Sequence, residues 1–227
     1  MRVLPSPVAG VTVHGHGSPE FEQALPEILG TAPRELLRAA LPYSVIVLNR
    51  GERTISFLGV RFDMISAGRK QYSVVHYADT LRNPAKSDFR PSTGRFICAE
   101  PEYTSLVLRG DVAPKTRGRM NLENLRQMLD MRASIDCVAF ADGQFVGPDS
   151  QRSFDRLVRE REVELKFLDR LFDTPELEKL LYAAVEDPEE RAIRNVARKV
   201  LEGFVSGGPA EAITRAQAHR CRIPLFR

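Results

Sequence analysis

His14-Gly-His16 is the most metal-like spacing in the sequence. Two imidazoles that are two residues apart in an extended segment point to the same side and could share an ion. Two ligands do not complete a site, so further donors must come from elsewhere. His76 and Asp79 are the best candidates, because neutral imidazole and carboxylate suit zinc or a similar ion. These four residues predict a metal-assisted hydrolase as one alternative, and we favour the other interpretation, a glycine-flanked turn and a histidine packed in its strand.

A basic group formed by Lys115, Arg117 and Arg119 could contact phosphates. Residues 41–120 carry thirteen basic and seven acidic side chains, a net charge of +6, which favours anionic ligands. Binding of single strands would also require exposed aromatic side chains, whereas the tyrosines and phenylalanines here mostly alternate with aliphatic residues in strands. Nucleic-acid binding through residues 115–119 is therefore a second alternative, and a solvated loop is the favoured interpretation.

The motifs of common catalytic sites are missing from the sequence. No GxxxxGK[ST] or strand-associated GxGxxG pattern is present, nor are GxSxG and HExxH, and the chain has four histidines. The carboxylate pairs Glu100 with Glu102 and Asp142 with Asp149 fit turns and helix capping. We assign no catalytic residue and no cofactor, and the enzyme hypothesis is the less favoured one.

The elements that would position these residues change along the chain. Residues 1–42 form an N-terminal extension with two short helices, marked by Ser18-Pro19 and by Pro33 before ELLRAAL. Residues 43–148 contain about seven β-branched or aromatic runs separated by turn residues, among them a hairpin at Ala141-Asp142-Gly143. Within them we predict a helix or irregular crossover over residues 120–131. Residues 149–227 form an α-helical region, in which Asp149 or Ser150 caps the first helix.

Length and composition restrict the class of protein. The 227 residues are 43% hydrophobic and 28% charged, which excludes collagen-like chains and wholesale disorder. The apolar runs are too short to span a bilayer, and no signal peptide follows Arg2, so we expect a cytoplasmic protein. Cys98, Cys137 and Cys221 form no CxxC pair, and buried thiols are the favoured interpretation, with a Cys98–Cys137 disulfide as the alternative.

The segments VIVLNRGERTISFLGVRFDM and FADGQFVGPD resemble parts of immunoglobulin-like sandwich domains of uncharacterised bacterial proteins, over about residues 40–150. This resemblance implies an α+β chain in which an antiparallel immunoglobulin-like β-sandwich precedes the helices. The chain lacks tryptophan, so the antibody-type hallmarks are missing. We therefore expect a non-catalytic binding or structural module, with the sandwich contacting a protein or saccharide and the helices serving docking or self-association.

Overall fold

Strands dominate the first two thirds of the chain and helices the last third in the computed structural model. The structure describes residues 1–30, 35–79, 89–100, 123–186 and 191–220. The chain divides into two units, unit 1 (Met1–Gln151) and unit 2 (Arg152–Arg227). The prediction of an α+β chain with a helical C-terminal region is confirmed. Residues 1–42 belong to unit 1, because Val8, Val11 and Phe21 are part of its hydrophobic core.

The described elements of unit 1 include eight strands and three helices. They are β1 (Arg2–Val3), β2 (Val11–Gly15), α1 (Pro19–Leu29), α2 (Glu35–Ala40), a 3₁₀ helix (Leu41–Tyr43), β3 (Ser44–Asn49), β4 (Ile55–Ser66), β5 (Gln71–Asp79), β6 (Thr93–Cys98), β7 (Met128–Phe140) and β8 (Phe145–Val146). In unit 2 the helices are α3 (Ser153–Asp173), α4 (Leu177–Glu186) and α5 (Arg191–Arg220).

The larger sheet has the order β1-β7-β4-β5, with β8 also paired to β7. The long strands β4 and β7 are antiparallel neighbours, whereas β1 pairs with β7 in parallel. The sheet is therefore mixed, and the expectation of purely antiparallel pairing is wrong at β1. The hairpin predicted at Ala141-Asp142-Gly143 joins β7 to β8.

The smaller sheet has the order β2-β3-β6, and all its pairs are antiparallel. Its central strand β3 is buried throughout, because both sheets and α1 contribute to one hydrophobic core. Val45, Ile46 and Val47 of β3 have no exposed surface. Burial of each of these three branched aliphatic side chains stabilises the fold by roughly 1.5–3 kcal/mol, and this holds β3 in the core.

Helix α1 begins and ends as its sequence predicts. The Ser18 hydroxyl accepts a hydrogen bond from the Phe21 backbone N–H (3.2 Å), and Pro19 occupies the first turn. Gly30 ends the helix with φ of 73°, a conformation that glycine adopts at little cost. The helix buries Phe21 and Leu25 in the core, which leaves its polar side chains on the remaining surface.

One local prediction is wrong in part. Residues 128–131 are not helical but begin β7, and the described residues before them form one helical turn at 123–126. The pairing of β7 with β4 overrides the helical spacing of the leucines. Helix α3 begins at Ser153 after Arg152, which has φ of 51° and supplies no side-chain cap, and the cap at Asp149 or Ser150 stays a prediction.

Unit 2 has a hydrophobic core of its own. Leu168 and Leu171 of α3 pack with Leu181 of α4 and with Ala197 and Val200 of α5. Helix α5 is kinked at Gly208, whose φ of 73° and ψ of −165° are not helical. Among the described helices, none combines the length and the apolar character that crossing a membrane requires.

Candidate functional site

A pocket of about 800 Å³ lies between α1 and the smaller sheet of unit 1. Most of its lining side chains are polar or charged, and a few apolar ones accompany them. The lining residues are Glu20, Gln23, Ala24, Glu27, Ile28, Leu48, Asn49, Arg50, Ser92, Thr93, Gly94 and Arg95.

Three elements bring these residues together. On α1, Glu20, Gln23 and Glu27 are three and four residues apart, so they share one face of the helix. On the sheet, the end of β3 lies beside the start of β6, with Leu48 opposite Gly94 and Asn49 opposite Thr93. The helix therefore supplies the acidic wall, and the two strand ends supply the opposite wall.

Gly94 allows α1 to lie close to the sheet. A Cβ atom at this position would come within 2.5 Å of Ile28 Cδ1 and 2.9 Å of Leu48 Cδ2. Real Cβ contacts are never this short, so a side chain at Gly94 would displace both apolar neighbours. Ile28 and Leu48 thus form an apolar part of the lining next to the polar groups.

Asn49 fixes the strand-end wall of the pocket. Its side chain is buried and donates to the Arg53 carbonyl (2.8 Å) and to the Phe89 carbonyl (3.0 Å), and its Oδ1 accepts from the Gly51 N–H (3.2 Å). The Asn49 carbonyl accepts from the Ser92 N–H (2.7 Å). One asparagine therefore holds both the β3–β4 turn and the segment that leads into β6.

The charged side chains of the lining differ in their partners. Glu20 Oε2 lies 3.6 Å from His14 Nδ1, and the Arg95 guanidinium carbon lies 5.7 Å from the centre of the Phe89 ring. Arg50 and Glu27 form no ion pair with any residue in the described ranges. One cation and one anion of the pocket are thus available to a ligand.

His14 occupies the edge strand beside this pocket. Burial lowers the pKa of His14, the Glu20 carboxylate opposes that effect, and the Arg50 guanidinium adds to it. The second nitrogen, Nε2, lies 2.9 Å from Thr12 Oγ1. His16 lies beyond the strand, with Nδ1 3.2 Å from Glu22 Oε1. Both histidines thus have carboxylate partners on α1.

His76 has a structural environment. It is 7% exposed on β5, its Nε2 donates to the Ala99 carbonyl (2.8 Å), and its ring meets Phe62 edge to face at 5.5 Å. Burial lowers the pKa of His76, and the hydrogen bond to Ala99 opposes that effect. Because β5 belongs to the larger sheet and Ala99 follows β6, this bond connects the two sheets of unit 1.

The structure does not gather the predicted metal ligands. Within the described residues, His14, His16 and His76 form no three-ligand cluster with one another or with another donor. Asp79 is the last residue of β5, and its side chain lies outside the description. Lys115, Arg117 and Arg119 also lie outside the described residues.

Another group of metal-ligand types is found in the core of unit 1. The ligand atoms of Asp136, Cys137 and Asp149 lie within 4.8 Å of one another, and all three residues are buried. Gly59 of β4 pairs with Cys137 and Val60 pairs with Ile135, so Asp136 is the extra residue of a β-bulge. A bulge interrupts the alternation of side chains along a strand, which accounts for the proximity of neighbours 136 and 137.

These three side chains have protein partners of their own. The Asp136 carboxylate accepts from the Ser150 N–H (3.0 and 3.3 Å), and the Cys137 thiol lies 4.0 Å from Asp149 Oδ1 as a donor. Burial and the charges of Asp149 and Asp136 raise the pKa of Cys137 far above its usual value. The thiol is therefore protonated at neutral pH, and the group anchors the loop after β8.

Sequence reasoning missed both the pocket and this buried group. From the sequence, Asp149 is grouped with Asp142, whereas Asp142 pairs with Arg53 (3.2 Å) on the surface. The sequence carries one signal for the buried group, an acidic residue inside the apolar run SIDCVAF. Cys98 and Cys137 are buried and form no disulfide with each other, as the favoured interpretation expects.

Comparison of the chain with protein-family models, with curated proteins and with solved structures finds no match. The functional argument therefore depends on the geometry of the pocket beneath α1.

Proposed function

We propose that unit 1 is a non-catalytic binding module whose pocket beneath α1 takes a saccharide. The observation that carries this proposal is the pocket itself, with carboxylate, amide, hydroxyl and guanidinium groups converging beside an apolar lining. Its volume of about 800 Å³ lies in the range of roughly 300–1,000 Å³ that is typical of small-molecule sites.

The lining chemistry matches the surface of a sugar. Sugar hydroxyls both donate and accept, so they can donate to the Glu20 and Glu27 carboxylates and accept from Arg50. The Gln23 amide can do both. The C–H face of a sugar ring is apolar and can lie against Ile28 and Leu48. The polar and apolar groups of the ligand thus each meet matching groups of the lining.

The positions of the two lining carboxylates support binding rather than hydrolysis. Glu20 and Glu27 are seven residues apart on α1, which separates their Cα atoms by about 10.5 Å along the axis. Glycosidases act with carboxyl groups about 5–9.5 Å apart on either side of the scissile bond, whereas these two side chains belong to one wall. Glu20 is moreover paired with His14.

Binding can be tested with the full-length protein on an oligosaccharide array, followed by calorimetric titration of the sugars retained. The variants Gln23→Ala and Glu27→Ala remove exposed side chains that form no hydrogen bond or ion pair within the described residues, and we expect each to weaken binding roughly tenfold. Glu123→Ala is the matched control, because Glu123 is an exposed carboxylate outside the pocket. The proposal fails if no sugar is retained, or if the control weakens binding as much as Glu27→Ala.

We also propose an immunoglobulin-like arrangement of the two sheets as the finer description of unit 1. The shared core supports it, because Val60 and Phe62 of the larger sheet and Val45 and Phe96 of the smaller sheet belong to one apolar cluster. An experimental structure in which the sheets pack face to face, with strand directions about 30° apart, would support this description. Sheets that cross near 90° would contradict it.

The other predicted roles stay predictions. Apolar helix faces in the sequence predict self-association or docking through unit 2, and within the described residues those faces form the core around Leu168 and Leu181. Contact with a protein partner, the metal-assisted hydrolase and nucleic-acid binding gain no supporting contact from the described residues. The pocket is therefore the basis of the proposed function.

A further inference from the structure

We infer that the pocket beneath α1 selects acidic saccharides, with Arg50 as the residue that binds the sugar carboxylate. This inference rests on the proposed saccharide binding and adds the class of sugar. It follows from the partners, the exposure and the position of the charged side chains in the lining.

Arg50 is the lining cation that is free to meet a ligand. Its backbone N–H donates to the Gly10 carbonyl (2.6 Å), which fixes the backbone at the end of β3. Its side chain is exposed and forms no ion pair or hydrogen bond with any residue in the described part of the chain. The guanidinium therefore holds no other described residue in place, although it lines the pocket.

A carboxylate is the ligand group that suits this guanidinium best. Covering Arg50 with a neutral sugar removes water from a cation without supplying a countercharge, which costs free energy. A carboxylate can accept two parallel hydrogen bonds from one guanidinium, and such charge-assisted pairs are about twice as strong as neutral ones. Contact with Arg50 therefore favours the binding of an acidic sugar over the binding of a neutral sugar.

The acidic wall of the pocket is compatible with such a ligand. Glu20 already has His14 as its partner, and Glu27 can accept hydrogen bonds from sugar hydroxyls, which is also a charge-assisted interaction. The wider charge of the chain favours the same ligand, because residues 41–120, which include Arg50 and Arg95, carry a net charge of +6. A sugar with its carboxylate at Arg50 and hydroxyls at Glu27 meets both walls.

The test compares three probes that differ at few atoms: D-galactose, D-galacturonic acid and D-galactosamine. Binding to the full-length protein is measured by ligand-observed NMR at low salt and again at higher salt. We expect the acid to bind roughly tenfold to a hundredfold more tightly than galactose, with a preference that shrinks as salt rises. Arg50→Gln should reduce the preference to about threefold or less, because it weakens binding of the acid much more than binding of galactose, and Arg50→Lys should retain part of the preference.

Arg126→Gln is the matched control, because Arg126 is an exposed arginine of unit 1 outside the pocket. Circular dichroism melts of the Arg50 variants should match that of the unmodified protein, since the Gly10 hydrogen bond uses the backbone. Equal binding of galactose and galacturonic acid would overturn the inference and leave the proposed function standing. A preference for galactosamine would also overturn it, and binding of none of the three would overturn both.

Discussion

Replacing Gly147 with alanine tests how tightly the loop after β8 packs against the bulge of β7. Gly147 has φ of +122°, a conformation that residues with a side chain rarely adopt. An added Cβ would lie 2.3 Å from the Asp136 carbonyl oxygen and 2.7 Å from Cys137 Cα. Both neighbours are backbone atoms of a buried strand, so no change of side-chain rotamer can relieve the overlap.

Two contributions set the size of the effect. Forcing alanine into this backbone conformation costs about 1–3 kcal/mol, and inserting a methyl group into a packed region costs about 1–3 kcal/mol more. We therefore expect Gly147→Ala to lower the free energy of unfolding of unit 1 by about 4 kcal/mol. Hydrogen exchange of the β4 and β7 amides in the full-length protein reports on unit 1 alone. At about 1.4 kcal/mol for each factor of ten, exchange should be roughly a thousandfold faster.

Gly17→Ala is the matched control. Gly17 also has positive φ, +88°, but no atom lies within 4 Å of the position its Cβ would take. This variant should lose only the backbone contribution of about 1–3 kcal/mol and accelerate exchange by roughly fivefold to 150-fold, less than Gly147→Ala does. If the two variants accelerate exchange equally, the close approach of Gly147 to Asp136 is absent from the protein and the packing argument is refuted.

Three further predictions concern the two cores. Burial lowers the pKa of His76, so the unfolded chain binds the proton more readily than the folded chain. The free energy of unfolding should therefore fall as pH drops below about 6.5, by at most about 1.4 kcal/mol per pH unit from this group. Denaturant titrations of His76→Gln should lack this contribution. Leu168→Ala should cost about 2–5 kcal/mol in urea unfolding, against less than about 0.5 kcal/mol for Val205→Ala, because Leu168 is 0% and Val205 72% exposed. Burial raises the pKa of Cys98 to about 11, so iodoacetamide at pH 8 should label Cys98 far more slowly in folded than in urea-unfolded protein; equal rates would contradict its burial.

Helix ends were predictable because their signals are local. The Ser18-Pro19 pair predicts the start of α1, and the Ser18 cap is present. Before α4, the Thr174 hydroxyl accepts from the Glu176 N–H (3.2 Å), in the turn that the sequence marks with a proline. The kink at Gly208 lies where the Gly-Gly-Pro run predicts a break. In each case a few neighbouring residues determine the backbone conformation.

The start of β7 could not be predicted in this way. Leu125, Met128 and Leu129 have helical spacing, yet Met128 pairs with Ser66 and Met131 pairs with Met64. Leu129 is the unpaired residue of a register shift and is 70% exposed. Strand pairing with a segment about sixty residues earlier decides the conformation here, and local propensity is a weak guide against it.

The pocket was beyond sequence reasoning for a related reason. Glu27 and Arg50 are ordinary exposed residues in the sequence, and neither belongs to a motif. They line the same pocket because α1 lies over the smaller sheet, and the antiparallel register of β3 with β6 adds Arg95. A search for short motifs detects residues that are close in sequence, whereas this lining combines segments up to 75 residues apart, from Glu20 to Arg95.

The buried carboxylates show why a group of ligand types need not be a ligand site. Burying Asp136 and Asp149 near each other costs free energy, because two like charges are taken out of water. Asp136 offsets part of this cost by accepting the Ser150 N–H, which would otherwise be a partly buried donor with no acceptor. The bulge directs the Asp136 carboxylate to that N–H, and Gly147 lets the loop approach closely enough to use it. The packing of the loop on the bulge therefore explains why Asp136, Cys137 and Asp149 lie together, without a bound metal ion.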